Sequence, residues 1–409
     1  MHNDAPVDYD VAIVGGGMVG ASLALALRGL SLKVLLVEAV APDSATHSSF
    51  DDRSTALGNG SRQVYETLGI WTKLANDIAP IQRIHVSESG RFGFARLEAE
   101  QFALAALGYV VPNRALGREL WAALRAAKHV HIEMPAKLTH VAFEPERVCL
   151  TIEGTPGRSD LAREISARLV VAADGASSPV RIAAGIEAEN EDYGQTALVT
   201  SFAVDGPGDG TAYERFTAEG TLAVLPLPGG RHTLIWASPP ETAARLMALE
   251  DDAFLRELQR VFGWRLGRVR ELGKRGAYPL SLLRAQRSVG VRSVLLGNAS
   301  QALHPVAGQG FNLGLRDAAT LAELLADASG SDVGAPGLLE RFETARATDR
   351  NGVTRFTDGL IKLFHDRRPG FGVARNLGLL LFDVLPPAKR ALSNLSWGFG
   401  SNRSRLVRG

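Results

Sequence analysis

A short segment near the start of the chain constrains the fold more than any other. The apolar residues 11–14 lead directly into a Gly-x-Gly-x-x-Gly motif formed by Gly15, Gly17 and Gly20. A helical pattern follows, and then a second apolar run, residues 34–37, which ends in an acidic residue. This order of strand, glycine turn, helix, strand and acid predicts a Rossmann-type α/β domain with a dinucleotide site.

Each part of this unit has a physical role in binding a dinucleotide. Gly15 permits the tight turn, Gly17 lets a pyrophosphate approach the backbone, and Gly20 lets helix and strand pack closely. Unpaired N–H groups at the start of the helix, around Met18, attract phosphate. Glu38 can accept hydrogen bonds from ribose hydroxyls, which favours a ribose without a 2′-phosphate. The alternative is a glycine-rich turn in an unrelated sheet protein.

Length and composition limit the remaining possibilities. A chain of 409 residues is long enough for two or three domains, and 45% apolar with 22% charged residues is ordinary for a globular protein. A net charge of +1 gives no global field that would favour nucleic acid. Cys149 is the only cysteine and is expected in a buried strand, which excludes an internal disulfide or a Cys-x-x-Cys redox pair. The sequence shows no metal-ligand spacing and no Ser/His/Asp triad.

The two ends of the chain differ in character. Residues 1–8 are polar and acidic, so no secretory signal is expected there, and the predicted location is the cytoplasm. Residues 360–409 carry nine Lys or Arg against two acids, which makes this segment +7 and the rest of the chain −6. Its cations and apolar residues predict peripheral contact with the anionic inner face of the cytoplasmic membrane. The alternative is that residues 371–385 form a helix packed on the dinucleotide-binding domain.

The hydrophobic pattern changes along the chain. Four short strands separated by turn residues are predicted within residues 195–238, as an antiparallel sheet inserted as a separate layer. The other predicted elements are helices over residues 61–69, 116–127, 251–262 and 311–325, strands within 81–97 and over 109–111, a meander of strands near 130–134, 138–143 and 147–153, and apolar strands over 169–172 and 293–296.

These elements predict three structural parts. The dinucleotide-binding domain is predicted to comprise residues 1–75, 103–190 and 276–345. The substrate-binding β-sheet domain is predicted to comprise residues 76–102 and 191–275, so both domains are discontinuous. Residues 346–409 are predicted to form a C-terminal helical segment. The glycine fingerprint occurs once. Either one dinucleotide binds, or a second one docks only transiently.

Two further motifs each follow an apolar strand. The first is Asp174-Gly175, after residues 169–172. The second lies within residues 295–317 and precedes a helix; it contains Gly297, Asn298, His304, Pro305, Gly308, Gln309, Gly310, Phe311 and Asn312. With the amino-terminal fingerprint, these motifs resemble those of the class A flavin-dependent aromatic hydroxylases in order and spacing. The resemblance spans about residues 8–350 and implies the fold of para-hydroxybenzoate hydroxylase.

Within that group the chain is most similar to the ubiquinone-biosynthesis hydroxylases, through residues 52–57 and 68–71. Asn298 stands where most members have Asp, and this Gly-Asn form resembles the branch that hydroxylates 2-polyprenyl-6-methoxyphenol. The resemblance implies FAD as cofactor, NADH or NADPH as a transient co-substrate, O2, and oxygen transfer through a C4a-hydroperoxyflavin. The implied partners are a prenylated phenol and other proteins of ubiquinone biosynthesis. A sibling hydroxylase for another ring position and a non-hydroxylating prenyl-lipid reductase or binding protein remain alternatives.

The resemblance also implies roles for individual residues. Gly297 and Asn298 would hold the ribityl chain of FAD, and an Asn keeps the acceptor oxygen of the usual Asp. Asp174 and Gly175 would support the pyrophosphate region and receive NAD(P)H. The isoalloxazine would be lined by Pro305 and by the segment Gly308, Gln309, Gly310, Phe311 and Asn312.

Other residues have weaker assignments. Arg53 would lie in a loop that crosses the phosphates or the flavin, and Asn113 or Arg118 would touch the FAD ribose or phosphate. His304 and Pro305 would lie near the flavin, but no side chain is expected to be catalytic, and His304 is expected to be structural and not a proton shuttle. Two ion pairs are also expected. Asp317 is expected to pair with Arg316 or Arg53, and Arg181 is expected to pair with acids on the surface.

Overall fold

The structure is a computed structural model. It describes residues 7–44, 47, 49–154, 162–206, 208–304, 308–328 and 330–365. Pro305 and the cationic segment 366–409, with its predicted membrane contact, lie outside the described residues. Within the described ranges, every helix is too short or too polar to cross a bilayer.

The strands of the described chain follow in sequence order. They are β1 (Tyr9–Val14), β2 (Val34–Val37), β3 (Ser54–Leu57), β4 (Ala79–Ile81), β5 (Arg83–Glu88), β6 (Phe94–Glu98), β7 (Gly108–Pro112), β8 (Val130–Glu133), β9 (Ala136–Phe143), β10 (Val148–Gly154), β11 (Arg163–Ala172), β12 (Ala188–Val204), β13 (Thr211–Thr217), β14 (Gly220–Pro226), β15 (Arg231–Ser238), β16 (Val269–Arg270), β17 (Gly276–Ala285), β18 (Val289–Gly290), β19 (Ser293–Leu295) and β20 (Gln301–Ala302).

The helices alternate with these strands. The α-helices are α1 (Met18–Ala26), α2 (Asn59–Thr67), α3 (Asn113–Arg125), α4 (Pro179–Ala183), α5 (Pro240–Ala248), α6 (Asp251–Phe262), α7 (Gln309–Asp327) and α8 (Pro336–His365). Short 3₁₀ helices cover Trp71–Leu74, Ala99–Phe102, Pro228–Gly230 and Gly297–Ala299.

The first sheet contains the amino-terminal βαβ unit. Its strand order is β18-β19-β11-β1-β2-β8, and β19, β11, β1, β2 and β8 run parallel. The antiparallel strands β10 and β9 continue from β11 as a side branch. Because the five central strands are parallel, their carboxyl ends meet at one edge of the sheet.

This sheet is buried on both faces, which explains its continuous apolar strands. Val11 and Ile13 pack on one side with residues of α1, α3 and α7. Ala12 and Val14 pack on the other side against β9 and β10. Cys149 of β10 is buried, as the sequence predicted.

One strand of the predicted meander belongs elsewhere. The sequence pattern predicts that residues 130–134 pair with the two strands that follow, but β8 pairs in parallel with β2. The meander is formed by β9, β10 and β11. The prediction was wrong because Val130 and Ile132 bury their side chains in the helix-covered core, and a pattern of apolar residues does not say which neighbour a strand pairs with.

The second sheet, here the inserted sheet, has the order β20-β17-β12-β15-β14-β13-β5-β6, with β16 added to β12. All of its pairs are antiparallel except β13 with β5. It uses residues 188–190 and 276–285, which the sequence analysis had counted with the dinucleotide-binding domain. A third, small sheet is formed by β3, β7 and β4.

The two faces of the inserted sheet have different surroundings. Leu198, Leu222 and Trp236 lie on the outer face and pack with residues of α5 and α6. The opposite, inner face carries Ala212, which packs with Ile81 and Val110 of the small sheet. The inner face is therefore turned toward the dinucleotide-binding part of the molecule.

A buried cluster of charged side chains joins α7 to α8. Arg346 of α8 donates hydrogen bonds to Asp317 of α7 at 2.6 Å and to Asp349 at 2.6 Å, and Arg316 donates to Asp349 at 2.8 Å. The side chains of Asp317 and Arg346 are only 2% and 4% exposed. Burial would raise the pKa of Asp349, but Arg316 and Arg346 hold it below its usual value.

The predicted partners of Asp317 were wrong. Arg316 is its neighbour in α7, and adjacent residues of a helix point in different directions. Arg53 pairs with Asp51 instead, at 2.7 Å. The partner that the sequence did not reveal, Arg346, lies one helix further along the chain.

We predict that Arg346→Met lowers the free energy of unfolding by about 3–5 kcal/mol, because it leaves two carboxylates without their shared partner in a buried site. The matched control is Arg147→Met, which removes an exposed pair with Glu144 and is expected to leave the free energy of unfolding nearly unchanged, because water screens this pair. Urea denaturation measures both. Similar losses in the two variants would contradict a special role for the buried cluster.

Candidate active site

The three sequence motifs meet at one edge of the first sheet. The fingerprint follows β1, Asp174 follows β11, and Gly297 follows β19. These strands are neighbours and run parallel, in the order β19, β11, β1. Ligands of parallel α/β sheets bind in the crevice beyond the carboxyl ends of the strands, so the motifs share one candidate site.

A side chain at each of the three fingerprint glycines would meet different neighbouring atoms. Gly15 has φ +101°, and a Cβ there would lie 2.3 Å from the Ala173 carbonyl oxygen. A Cβ at Gly20 would lie 1.9 Å from the Gly15 carbonyl oxygen. At Gly17 a Cβ would meet only the Ser49 side chain, at 2.8 Å. Gly15 and Gly20 are therefore required for packing, while Gly17 keeps the approach to the loop open.

The start of α1 has free backbone donors. Helix α1 begins at Met18 after Gly17, without a side-chain cap. The first N–H groups of a helix have no partners inside the helix and, with the helix dipole, favour an anion. Met18 itself is half-buried, and its carbonyl accepts a hydrogen bond from Ser22 at 2.6 Å. The backbone here fits the pyrophosphate predicted from the sequence.

Glu38 lies directly beside the glycine loop, at the end of β2. Its carboxylate accepts hydrogen bonds from the Gly16 N–H at 2.5 Å and from the Val40 N–H at 2.8 Å. The imidazole of His47 is 3.8 Å away, and burial lowers the pKa of His47 although Glu38 opposes this. The predicted role of Glu38 toward a ribose hydroxyl stays a prediction, and the structure adds a role in holding the loop.

Asp174 has an unused oxygen at this edge. Its Oδ2 accepts a long hydrogen bond from Val180 N–H at 3.4 Å, and its Oδ1 is buried with no partner in the described part of the chain. Burial raises the pKa of the carboxyl group, although a hydrogen bond from Ser178 opposes the shift. Gly175 follows with φ +88° and open space around it. A buried acceptor without a partner fits a site that a ligand completes.

Gly297 and Asn298 form the adjoining wall. Gly297 has φ +56°, and a Cβ there would meet Val19 of α1 at 3.2 Å. A Cβ at Gly314 of α7 would lie 3.0 Å from the Gly297 Cα, so these two glycines pack closely. Asn298 is exposed, and its side chain makes no hydrogen bond to the described residues. Its amide is free for the ribityl contact predicted for it.

The start of α7 is held by one amide. Asn312 accepts hydrogen bonds from Gly58 N–H and Ser61 Oγ and donates to the carbonyls of Ala56 and Gly308, all within 2.9 Å. This ties α7 to β3 and α2. The side chain was predicted to line the isoalloxazine, and in the structure its hydrogen-bonding capacity is used for this connection.

The other residues of the same segment lie around it. Gly308 precedes α7 with φ +58°, and Gln309 is buried. Phe311 packs on the hydrophobic core that the first sheet forms with α1, α3 and α7. A Cβ at Gly310 would meet only Leu303, at 3.9 Å. The predicted flavin contact of this segment therefore rests on its backbone and its glycines.

His304 has the structural position that the sequence favoured. It is buried, its Nε2 hydrogen-bonds Gln195 Oε1 at 3.0 Å, and its ring meets Tyr193 edge-on. Both partners belong to β12 of the inserted sheet. His304 thus connects the third motif to the inserted sheet.

The weaker assignments are distributed over the site and its margin. Arg53 pairs with Asp51 and stacks over the ring of Tyr278, 4.6 Å from its centroid, at the junction with the inserted sheet. Asn113 is buried at the start of α3 and accepts a hydrogen bond from Thr55 at 2.6 Å. Arg118 is exposed and donates to Asp77 at 2.7 Å. The predicted contact of Asn113 or Arg118 with the FAD ribose or phosphate stays a prediction.

Arg181 differs from its expected surface position. It is only 7% exposed and donates a hydrogen bond to the Ala299 carbonyl at 3.0 Å. The expected pairing with surface acids was wrong, because α4 carries Arg181 beneath the turn that presents Asn298. Sequence reasoning also missed Ser49 and Tyr278. Neither has a distinctive local pattern, and both reach the site through the fold.

A protein-family model described as an FAD binding domain matches residues 8–357 of this chain. The match includes all three motifs. The residues present fit this cofactor, because Gly17 leaves the loop open, Asp174 Oδ1 lacks a partner, and Asn298 has a free amide.

Two curated relatives are similar over nearly their whole length. Ubiquinone hydroxylase UbiL of Rhodospirillum rubrum is 36% identical over 405 residues, which cover 98% of this chain and 92% of the relative. The 3-demethoxyubiquinol 3-hydroxylase of Escherichia coli is 32% identical over 390 residues, which cover 93% of this chain and 96% of the relative.

Solved structures show the same fold. The p-nitrophenol 4-monooxygenase PnpA of Pseudomonas putida has a TM-score of 0.78 at 18% identity, covering 96% of this chain and 98% of its own. PqsL of Pseudomonas aeruginosa, a probable FAD-dependent monooxygenase, has a TM-score of 0.73 at 22% identity, covering 91% and 99%. The predicted fold class, a Rossmann-type FAD-binding domain with an inserted, mostly antiparallel sheet, is confirmed.

We predict that Gly17→Val gives folded but colourless protein, because the side chain occupies the approach to the glycine loop without meeting backbone atoms. Gly20→Ala should instead lower the melting temperature, because its Cβ would overlap the Gly15 carbonyl. Flavin absorbance and thermal unfolding separate the two effects. Full flavin loading of the Gly17→Val variant would contradict the assignment of this loop.

We predict that Asn298→Asp retains FAD, since both side chains offer an acceptor oxygen. Asn298→Leu should weaken FAD binding by about 1–3 kcal/mol, because a polar group of the cofactor loses its partner. Fluorescence titration of the apoprotein measures both affinities. Equal affinity in the wild type and the Leu variant would show that Asn298 does not contact FAD.

Proposed function

The chain belongs to the FAD-binding family of flavin-dependent monooxygenases, and on that premise we propose that it hydroxylates a polyprenylated phenol in ubiquinone biosynthesis. It is an oxidoreductase that uses FAD, with NAD(P)H and O2 as co-substrates. The proposed reaction converts a 2-polyprenyl-6-methoxyphenol to the corresponding 1,4-benzoquinol.

One observation carries the proposal. The carboxyl ends of β19, β11 and β1 bring the three motifs to one edge, and the inner face of the inserted sheet is connected to that edge. His304 reaches Gln195 of that sheet, and the Tyr278 hydroxyl donates to Asp51 Oδ2 at 3.2 Å. A ligand held by the motifs and a substrate on the inner face would therefore be neighbours.

The chain's own groups have defined tasks in this chemistry. Bound FAD would supply the redox chemistry, which is the oxidation of NAD(P)H and the transfer of one oxygen atom from O2 to the ring. The N–H groups at the start of α1 would hold the pyrophosphate, and the Asn298 amide would hold the ribityl chain. The apolar positions of the inner face exclude water and hold the prenylated ring in place.

The substrate class is supported by the relatives. The R. rubrum relative is a ubiquinone hydroxylase by name, and the E. coli relative acts on a demethoxyubiquinol by name. The Gly-Asn form at residues 297–298 supports the position para to the phenol. The name of the E. coli relative favours a second candidate, which is a sibling hydroxylation at another ring position.

We predict that the purified protein is yellow and that a short-chain 2-prenyl-6-methoxyphenol increases its rate of NADH or NADPH oxidation severalfold. With isotope-labelled dioxygen, the product should carry one labelled oxygen atom para to the phenolic hydroxyl. Mass spectrometry and NMR of the product measure incorporation and position.

The Gly17→Val variant, without flavin, is the control for this reaction. A labelled oxygen at another ring position would support the sibling reaction instead. NAD(P)H oxidation without incorporation of oxygen into the phenol would contradict the hydroxylase and favour a prenyl-lipid reductase.

A further inference from the structure

The inner face of the inserted sheet contains a continuous row of residues across four strands. Glu214 of β13 pairs with Ala223 of β14, Ala223 with Ile235 of β15, and Ile235 with Val199 of β12. Neighbouring strands are about 4.8 Å apart, so the row extends roughly 14 Å from Glu214 to Val199. The row contains one ionisable group among three apolar residues.

The strand alternation fixes the side of the sheet on which this row lies. Tyr213 of β13 packs on Phe262 and the Arg215 side chain donates to the Val261 carbonyl at 3.0 Å, so these two residues face α6 on the outer face. Glu214 lies between them and therefore faces the other way. Ala212, two residues before Glu214, packs on Val110 of the dinucleotide-binding part. Glu214 thus lies on the inner face, the side of the inserted sheet that is turned toward the dinucleotide-binding part.

Glu214 has no counter-group of its own. The residue is partly exposed, but its Oε1 is buried and has no hydrogen-bond partner within the described chain. Its cross-strand neighbours, Ala223 and Val86, are apolar. Burial raises the pKa of this carboxyl group to about 8.

A carboxyl group in such a place is unfavourable for folding. Burying a carboxyl oxygen without a partner is costly, and Asp317, an acid that is almost fully buried, has Arg346 and Gln301 as partners. No residue that the structure describes forms a hydrogen bond with the Glu214 Oε1. A polar group that converges on an apolar surface is instead the usual way in which a pocket orients its ligand.

We propose that Glu214 hydrogen-bonds the phenolic hydroxyl of the substrate while Ile235 and Val199 contact its hydrocarbon part. This rests on the proposed function, and it adds the residue that recognises the hydroxyl. The same carboxyl group disfavours aromatic acids, because their carboxylate would meet a second acidic group in an apolar site. The structure therefore assigns a neutral phenol with an apolar substituent as the ligand class.

The test compares two ligands in the FAD-loaded enzyme. The probes are 2-prenylphenol and its methyl ether, which lacks the hydroxyl hydrogen, and binding is followed by the change in the visible spectrum of the flavin. The wild type should bind the phenol more tightly than the ether by on the order of tenfold or more. In Glu214→Leu the two affinities should become nearly equal.

Two further variants complete the design. Glu214→Gln keeps the shape and is expected to show a smaller loss of preference; it also serves if the Leu variant does not fold. Glu191→Leu, at an exposed position of β12 in the same sheet, is the matched control and should keep the wild-type preference. Thermal unfolding at pH 7 should show Glu214→Leu to be more stable than the wild type, because an unpartnered acid has been removed from the interior.

The outcomes separate this inference from the proposed function. If the wild type prefers the phenol and Glu214→Leu and Glu214→Gln keep the full preference, the assignment of Glu214 is overturned and the proposed function stands. If the wild type binds the ether as well as the phenol, no group recognises the phenolic hydroxyl and the assignment of Glu214 is overturned, while oxygen incorporation decides the proposed function separately. Loss of the preference in the Glu214 variants alone supports the proposal.

Discussion

The packing of α1 against β1 and β11 is the contact on which the rest of this molecule depends. Gly20 lies against the Gly15 carbonyl, and Gly15 lies against the Ala173 carbonyl, with no room for a Cβ at either glycine. Because Ala173 precedes Asp174, the same contact that forms the fingerprint turn also positions the second motif. Gly297 then packs on Val19 of α1 and brings the third motif to the same edge.

Polar groups inside the protein keep these motifs in place. The Asn312 amide uses all of its hydrogen-bonding capacity to connect the start of α7 with β3 and α2. The Asp317–Arg346 pair fixes α7 to α8. Both are fully satisfied, as buried polar groups normally are. Asp174 Oδ1, after β11, and Glu214 Oε1, on the inner face of the inserted sheet, are buried without partners in the described chain.

The extent to which the sequence predicted this structure varies from residue to residue. The amino-terminal βαβ unit, the apolar strands of the first sheet and the four strands within residues 195–238 were predicted, since each is encoded in a local pattern. The partner of β8 was predicted wrongly, and so were those of Asp317 and Arg181. Each of these partners is set by which distant part of the chain packs alongside. The alternation or charge of one segment carries no information about the identity of that distant partner.

The sequence by itself determined the cofactor class and the family, because the required glycines and their spacing are short-range features of the chain. Gly15, Gly17 and Gly20 need no knowledge of the rest of the fold to indicate a dinucleotide site. Only the tertiary structure decided that Glu214 lies on the inner face of the inserted sheet and that Arg346 neutralises Asp317. Both facts arise from strand register and helix packing, which bring together residues that are far apart in the chain. A single residue of slip in β13 would turn Glu214 to the outer face, so its direction is a property of the whole sheet.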